Sequence, residues 1–401
     1  MSILVVYPLG NALNPHSGAE TRIWNLINSL INRNYNTTIL HSHNSQGSED
    51  ILLKRKCNIH YCKDNNILHL INSYFTDLNP FFAIELFKII HKHKIDFIQL
   101  ERPWGFLVVK LLKRKNQIVI YDSQGVENEH LSIVTNLSRK TKILKPFAEI
   151  YAKFYEKLTC NLADVIVCVS DIDREYYIKK FKINKSKTIL IQTPSTLMFQ
   201  NIKRTEEIKI ECRKKLGLPI DKTICIFHGG LPHPPNQEAF DLIENFIAPK
   251  INDPEILFVL AGHNLEKYKK RNIISLGFVQ NLKDFLYSAD FAIVPIISGT
   301  GMRIKCTDYI ITALPFITTK KGIEGIEFVK EHEDYLVFDE VNEKFIEGIK
   351  ILAKDRKLRE SINQNLFKKS NLLNRVKFEK NFNKLYMKLI NTNKKKYANI
   401  V

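Results

Sequence analysis

The motif SGTGMRIKCTDYI, at residues 298–310, contains the residue types that bind an anionic ligand. Gly299 and Gly301 allow the backbone to approach a ligand closely, and Arg303 and Lys305 supply positive charge. The apolar run FAIVPII before the motif and the helical pattern within it predict a strand that leads into a helix. Such a junction is an anion site, because free backbone N–H groups and the helix dipole favour negative charge there.

Asp308 is the acidic residue of this motif. It lies three residues after Lys305 on one face of the predicted helix, and seven residues after Gly301, which is about 10 Å along a helical backbone. That span fits a ligand with a diphosphate at one end and hydroxyl groups at the other. Thr300 and Met302 complete the segment that we expect to contact this ligand.

Two further strand-to-helix junctions contain glycine. In PHSGAE a capping-box spacing places Gly18 at the start of a helix, where it is either a ligand contact or part of a plain capped helix. In FHGGLPHPPN, Gly229 and Gly230 directly follow a predicted strand, and Asn236 is the expected helix cap. Ligands of parallel sheets bind beyond the carboxyl ends of the strands, so these glycines are candidates for a binding site.

A polar cluster follows the predicted strand QIVIY. Asp122, Gln124 and Glu127 crowd the segment DSQGVEN at the expected carboxyl edge of the sheet. The cluster is either one side of a binding site or a solvated loop.

Short apolar runs alternate with helical patterns along the whole chain, which predicts parallel sheets with helices on both faces. The runs are ILVVY (3–7), TTIL (37–40), DFIQL (96–100), QIVIYDS (117–123), VIVCVS (165–170), TILIQ (188–192), TICIFHGG (223–230), ILFVLAGH (256–263), NIISLGF (272–278), FAIVPII (291–297) and PFITT (315–319). At 401 residues the chain exceeds one comfortable core. We therefore expect an α/β protein with two doubly wound, Rossmann-like domains at 1–195 and 196–375, followed by a C-terminal helix at 376–401.

The formal net charge of +18 is spread along the chain. Residues 1–200 contain 26 Lys and Arg against 17 Asp and Glu, and the remainder contains 34 against 25. A nucleic-acid binder would concentrate this charge among aromatic residues. We therefore interpret the excess as a compositional bias, with attraction to anionic lipid or an anionic acceptor as the alternative. The seven cysteines have no CxxC spacing, so we expect reduced packing residues and no metal site.

The N-terminal MSILVVYPLG has neither the basic start nor the long apolar run of a signal peptide, so we expect a cytoplasmic protein. Within residues 138–158, lysines are mixed with Phe147, Ile150, Tyr151 and Phe154. We favour packing of this aromatic stripe in a domain core. The alternative is a basic amphipathic helix that makes peripheral contact with the anionic inner face of the membrane.

The order of these motifs resembles that of the GT-B glycosyltransferases of the group 1, or family 4, type, and the resemblance covers nearly the whole chain. The segments that carry it are PHSGAETRIWNLINSLINRNYNTTIL, DSQGVENEHL, ADVIVCVSDIDREYY, GGLPHPPNQEAFDLIENFIAPKI and LGFVQNLKDFLYSADFAIVPIISGTGMRIKCTDYIITALPFITTKKGIEGIE. It implies two domains that face a cleft and a C-terminal helix that crosses back to the first domain.

The resemblance also implies an activity: transfer of a sugar from a nucleotide sugar to a glycan or lipid-linked acceptor, with retention and without a required metal or cofactor. It assigns the diphosphate to Arg303 and Lys305, together with Gly301, and the ribose hydroxyls to Asp308. The segment LGFV, with Gly277 and Phe278, matches the part of the family that usually touches the nucleobase. Gly18 would face the donor phosphates from the opposing domain.

The chain departs from the family pattern at four places. Asp308 stands where glutamate is usual, and Thr300 stands where the first of two glutamates often lies. Gln124 stands where many members place a histidine, and no Arg or Lys follows the first strand of the donor domain. These departures leave a second hypothesis open, a degenerate protein that binds nucleotide or glycan and acts as a scaffold for a partner transferase.

Overall fold

The computed structural model describes residues 1–8, 17–42, 56–62, 76–127, 139–195, 197, 202–231, 233–299, 301–373 and 375–398. Thr300 lies outside the described residues. The chain divides into two compact units. Unit 1 consists of Met1–Ser132, Ile143–Gln192 and Val376–Val401, and unit 2 consists of Ile133–Lys142 and Thr193–Arg375.

Unit 1 is built on a seven-stranded parallel sheet of order β3-β2-β1-β4-β5-β6-β7. Its strands are β1 (Ser2–Tyr7), β2 (Asn36–Ser42), β3 (Asn58–Cys62), β4 (Phe97–Glu101), β5 (Ile118–Asp122), β6 (Val165–Cys168) and β7 (Thr188–Leu190). Strand order reverses between β1 and β4, so a crevice is expected at their carboxyl ends. The register sets Glu101 beside Asp122 at that edge.

Unit 2 contains a second seven-stranded sheet, of order β10-β11-β9-β8-β12-β13-β14. Its strands are β8 (Thr223–His228), β9 (Ile256–Ala261), β10 (Lys267–Lys270), β11 (Ile273–Leu276), β12 (Phe291–Val294), β13 (Phe316–Thr319) and β14 (Leu336–Phe338). All pairs are parallel except β10 with β11. The order reverses between β8 and β12.

Helices connect these strands. The described α-helices are α1 (Gly18–Asn32), α2 (Pro80–Lys92), α3 (Phe106–Leu112), α4 (Arg139–Leu162), α5 (Asp171–Lys180), α6 (Glu206–Leu216), α7 (Pro234–Leu242), α8 (Ala248–Lys250), α9 (Leu282–Ser288), α10 (Ile304–Ile311), α11 (Lys320–Ile323), α12 (Glu343–Lys354), α13 (Arg356–Lys369) and α14 (Arg375–Ala398). A π-helical turn, Ile243–Ile247, joins α7 to α8, and 3-10 turns lie at Thr76–Leu78, Lys185–Lys187 and Ser370–Leu373.

The sheet of unit 1 has a core on each face. One core receives α2, α3, α4 and α5, and the other receives α1 and the C-terminal helix α14. Phe378, Phe382 and Tyr386 of α14 are buried in the second core, where the Tyr386 ring packs edge-on against Phe97 of β4 at 5.3 Å. The C-terminal helix is therefore an integral part of unit 1.

The predicted fold class is confirmed, with two doubly wound α/β sheets. All eleven predicted strands are present, whereas β3, β10 and β14 were not predicted. Each of these three is the outermost strand of its sheet. The apolar signal is weak in β10, which reads KYKK, and is mixed with polar residues in β3, which reads NIHYC. Strand β14 is apolar but only three residues long. Among the helices of the described residues, none combines the length and the apolar character needed to span a membrane.

Candidate functional site

Two strand ends define the candidate site in unit 2. Strands β8 and β12 are direct neighbours and run parallel. Both therefore point their carboxyl ends at the same edge, where Gly229 and Gly230 follow β8 and where Gly299 and Gly301 follow β12. This is the point at which strand order reverses, the position where open α/β sheets bind ligands.

The turn after β12 needs glycine at two positions. Gly299 has φ +105° and Gly301 has φ +70°, values that L side chains rarely adopt. A Cβ at Gly299 would also lie 3.0 Å from Arg303 and 3.0 Å from Pro235. Met302, the next residue, is buried.

The Arg303 guanidinium braces this turn. Its Nη1 donates to the Gly301 carbonyl at 3.0 Å and its Nη2 donates to the Ser298 carbonyl at 3.2 Å. Arg303 is also the N-cap residue of α10, which begins at Ile304. The helix therefore starts later than the spacing argument assumed, and only the second half of the span from Gly301 to Asp308 is helical.

Lys305 lies in the first turn of α10 and contacts α7. Its Nζ donates to Oδ1 of Asn236 at 2.6 Å and sits 4.5 Å from the centre of the Phe227 ring. Burial, with a contribution from the charge of Arg303, lowers the pKa of Lys305 to about 7. The lowered pKa means that the site contains too little negative charge to stabilise the charged form of Lys305. An anionic ligand would supply that charge.

Asn236 connects the two loops. Its Nδ2 donates to the Gly230 carbonyl at 2.8 Å, while its Oδ1 accepts from Lys305. The side chain passes so close to Gly229 that a Cβ there would lie 2.6 Å from the Asn236 side chain. Asn236 is not the helix cap that the sequence predicted, since α7 begins at Pro234 with His233 as its N-cap.

His233 is a third basic group of this site, and the sequence analysis missed it. Partial burial of the imidazole, and then the charges of Lys305 and Arg303, lower its pKa to about 4, although the residue as a whole is exposed. The imidazole makes no capping hydrogen bond to α7. A neutral ring held beside two cations can take up a proton when a polyanion binds. The signal in the sequence was the HPPN stretch, which starts a helix with two prolines.

Asp308 lies one turn beyond Lys305 and is buried. Its Oδ1 accepts from Ser195 Oγ at 2.5 Å and its Oδ2 lies 3.4 Å from His228 Nε2. The other ring nitrogen of His228 is 3.0 Å from the Tyr309 hydroxyl. A ribose hydroxyl would therefore have to displace Ser195 or His228 to bond this carboxylate directly.

Gly277 and Phe278 lie along the same edge. Gly277 has φ +64°, and its carbonyl accepts from the N–H of Gly262 at 2.9 Å. The Phe278 ring is exposed and stands edge-on to His263 at 6.0 Å. His263 in turn would contact a Cβ at Gly230, so an exposed aromatic surface lies near the glycine pair.

In unit 1, Gly18 starts α1 as predicted. The Ser17 Oγ accepts from the N–H of Glu20 at 3.2 Å, and the Glu20 carboxylate accepts from the N–H of Ser17 at 3.1 Å. This capping box fixes the first turn of α1 beyond the end of β1.

The polar cluster after β5 is buried rather than a solvated loop. Asp122 accepts three hydrogen bonds from Arg22 of α1, at 2.9 to 3.2 Å, and a fourth from Gln99 at 3.2 Å. Gln124 donates to Glu101 at 2.9 Å. Burial and the neighbouring charge of Asp122 raise the pKa of Glu101 well above its usual range.

Glu127 is held by a second set of buried groups. Its carboxylate lies 3.2 Å from Arg102 Nε, and its backbone N–H donates to Glu156 of α4 at 3.1 Å. Arg102 has φ +72°, a strained conformation for arginine. The sequence analysis missed Arg22, Glu101 and Arg102, although a charged residue within an apolar helical face or at a strand end was the available signal.

Comparisons with known proteins agree with this architecture. Residues 16–194 match the profile of Glycosyltransferase Family 4, and residues 222–355 match that of Glycosyl transferases group 1. The chain is 29% identical over 146 residues to TuaC of Bacillus subtilis (strain 168), whose name assigns it to teichuronic acid biosynthesis as a glycosyltransferase. This match spans about a third of each protein, 36% of both.

Two solved structures share the fold. Sucrose-phosphate synthase from Thermosynechococcus elongatus superposes with a TM-score of 0.74 at 14% identity, covering 98% of this chain and 99% of that one. HepE from Anabaena, in complex with UDP-glucose, superposes with a TM-score of 0.68 at 12% identity, covering 97% and 100%. These solved structures show that the chain has the GT-B fold. The two profiles, which together match most of the chain, show that it belongs to the group 1, or family 4, glycosyltransferases.

Proposed function

We propose that this chain is a retaining hexosyltransferase that moves a sugar from a nucleotide sugar to a glycan or lipid-linked acceptor in the synthesis of a cell-surface polysaccharide or glycolipid. The observation that carries the proposal is the gathering of Arg303, Lys305 and His233 at the reversal point of the unit 2 sheet. Three groups that are cationic or able to become so, beside two glycine turns, fit a diphosphate.

In the proposed reaction, the acceptor oxygen forms a bond to the anomeric carbon and the bond between that carbon and the phosphate oxygen breaks. The acceptor proton passes to the departing diphosphate, so no protein base is required. Lys305, with a pKa of about 7 before binding, gains a proton as the diphosphate enters. Arg303 and Lys305 then neutralise the charge that grows on the leaving group, which is electrostatic preorganisation and needs no metal or cofactor.

The remaining donor contacts follow from position. The exposed Phe278 ring offers a stacking surface for the nucleobase. Asp308 binds the ribose hydroxyls, either directly after Ser195 moves or through His228, which already lies 3.4 Å from the carboxylate. Because HepE, which shares this fold, forms a complex with UDP-glucose, that nucleotide sugar is the first donor to test.

On the acceptor side, Gln124 is the proposed contact. The Gln124 side-chain oxygen has no hydrogen-bond partner among the described residues, so it can accept from an acceptor hydroxyl. Asp122 is buried against Arg22, and Glu127 is buried beside Arg102. Both act by positioning the edge of the sheet rather than by touching the sugar.

The second candidate is a degenerate GT-B protein that binds nucleotide or glycan without turnover. The observation that favours it is the occupied carboxylate of Asp308, which already accepts from Ser195 at 2.5 Å. A scaffold of this kind would bind a nucleotide sugar and release no nucleotide.

Calorimetry with UDP-, GDP- and ADP-glucose, followed by release of the nucleoside diphosphate in the presence of glycan and lipid-linked acceptors, tests both candidates. We expect one nucleotide class to bind, with loss of binding in Arg303→Ala and unchanged binding in the distant, exposed Arg356→Ala. Release of nucleotide supports the transferase. Binding without release supports the scaffold, and absence of binding to all three in a folded protein contradicts both.

A further inference from the structure

Helix α4 of unit 1 exposes an unusual amount of apolar surface. Phe147, Ile150 and Phe154 are 74%, 70% and 67% exposed. Their spacing of three and four residues places them on one face of the helix. The expectation that the stripe packs in the core is therefore wrong for these three residues, and it is confirmed for Tyr151.

The core contacts of α4 are made by the adjacent face. Tyr151 and Tyr155 stack on Trp104 with ring centres 5.9 and 5.5 Å apart. Because this packing fixes the rotation of α4 about its axis, Phe147 and Phe154 cannot turn inward without breaking the aromatic stack.

A second apolar row lies on α2. Phe81, Ile84 and Phe87 are exposed, while Phe82 and Leu86 of the same helix are buried in the core. The spacing of three residues again defines one face. Single exposed apolar residues are common on protein surfaces. Two rows of them on helices that cover the same face of a sheet indicate a contact surface.

Asp77 joins the elements that carry these rows. Its carboxylate accepts from the Tyr155 hydroxyl of α4 and from the backbone N–H groups of Gly105 and Val108 at the start of α3, at 3.2 and 2.9 Å. Asp77 belongs to the 3-10 turn that directly precedes α2. The apolar rows therefore lie on neighbouring elements on one face of the unit 1 sheet. Leu78 and Leu111 are also exposed there.

The charge of α4 indicates what covers this surface. The helix contains six Lys and Arg against two Asp and Glu, and one of the acids, Glu156, is buried. Lys153 and Lys157 are exposed on either side of Phe154 in the sequence. The headgroup region of an anionic bilayer offers both partners that such a helix needs. The aromatic rings would enter the apolar boundary of the acyl chains, and the lysines would contact the anionic headgroups.

We propose that the outer faces of α4 and α2, which we call the aromatic face, dock unit 1 on anionic lipid. The proposed acceptor contact, Gln124, lies three residues before Glu127, whose backbone N–H donates to Glu156 of α4 at 3.1 Å. Docking would thus hold the acceptor side of unit 1 next to a lipid surface. This docking proposal does not depend on the transfer reaction. It adds to the proposed function the lipid surface at which the protein works.

Co-sedimentation of the full chain with vesicles tests this proposal. The probes are vesicles of phosphatidylcholine alone and vesicles with about one third phosphatidylglycerol, at low salt and at about 0.5 M salt. We expect binding to the anionic vesicles only, weakened by salt. Phe147→Ser with Phe154→Ser should reduce the partition coefficient at least about tenfold, as should Lys153→Glu with Lys157→Glu. The matched control is Phe367→Ser, at an exposed phenylalanine of unit 2.

Two results would overturn the proposal. One is equal binding by the control and by both double variants. The other is a concentration-dependent dimer in light scattering that the Phe147→Ser, Phe154→Ser variant abolishes, because the aromatic face would then join two copies. Near-ultraviolet circular dichroism verifies folding, and nucleotide-sugar affinity in the same variants separates failure of docking from failure of the proposed function.

Discussion

The ammonium of Lys305 donates to the side-chain oxygen of Asn236 at 2.6 Å, and this contact ties the start of α10 to the start of α7. The two residues are 69 positions apart in the chain and meet because β8 and β12 are neighbours. The same lysine has a pKa near 7, so its charge depends on what else enters the site.

Donor affinity should therefore depend on pH. A bound diphosphate raises the pKa of Lys305 above its free value of about 7, so binding takes up a proton. Affinity for UDP-glucose should fall about tenfold between pH 7 and pH 8.5, since each pH unit above the free pKa costs up to about 1.4 kcal/mol. The diphosphate of this donor has no titration in that range. Calorimetry at several pH values should show the fall in the wild type and a weak, pH-independent affinity in Lys305→Met.

The glycine pair after β8 offers a matched test of the loop. Gly229→Ala should displace Asn236, because the new Cβ would lie 2.6 Å from its side chain, and donor affinity should drop at least about tenfold. Gly230→Ala is the control, since its Cβ would meet only His263 at an ordinary 3.7 Å. Equal affinities of the two variants would show that the Asn236 position does not matter for binding.

Restoring the glutamate that is usual in the family should not improve this protein. Asp308 is buried with Ser195 at 2.5 Å, so Asp308→Glu forces an extra methylene into a filled space and should cost about 1–3 kcal/mol of unfolding free energy. Adding Ser195→Gly should recover part of that loss. Urea unfolding of the single and double variants measures both effects. An unchanged midpoint for Asp308→Glu would mean that the space around this carboxylate can accept an extra methylene without strain.

Glu156 should make stability depend on pH. It accepts from Tyr121, Tyr177 and the backbone of Glu127, and burial, with the nearby charge of Glu127, raises its pKa to about 8. The folded pKa lies above the unfolded value of about 4.5, so this stabilisation is complete below pH 4.5 and is lost as the pH rises through 8.

Replacing Glu156 isolates this effect. In Glu156→Gln the loss of urea midpoint between pH 5 and pH 8 should be smaller than in the wild type, because all other titrating groups are shared. Parallel pH profiles for the two proteins would show that Glu156 titrates normally.

Local chemistry in the sequence predicted much of unit 2. Gly299 and Gly301 were expected to shape a turn after a strand, and both have positive φ. That prediction needs only the glycines, the apolar run before them and the helical pattern after them. The parallel pairing of most strands and the helix that follows this turn agree with the same alternation of strands and helices.

What the sequence could not show depends on neighbours in space. His233 matters because its loop meets Arg303 and Lys305, and Glu101 matters because its register sets it beside Asp122. The prediction that Asn236 caps α7 was wrong. Pro234 and Pro235 fit the first turn of a helix, so α7 starts before Asn236 in the chain. The partners of His233 and Glu101 are distant from them in the chain, and the prolines next to Asn236 take the positions at the start of the helix.

Helix α4 shows the limit of periodicity. Tyr151 and Tyr155 form one stripe, and Phe147 and Phe154 form the adjacent one, so the pattern supports either stripe as the buried face. Trp104 decides the outcome by stacking on the tyrosines. Its side chain comes from the loop after β4, which the helix sequence does not reveal.

The most direct test of the account compares UDP with uridine by calorimetry, in the wild type and in the Arg303→Ala and Lys305→Met variants. The account predicts that UDP binds at least about a hundredfold more tightly than uridine and that either variant removes most of this difference, because the diphosphate rests on these two cations. Equal affinity for UDP and uridine in the wild type, or a difference that survives both substitutions, would contradict the assignment of the diphosphate site.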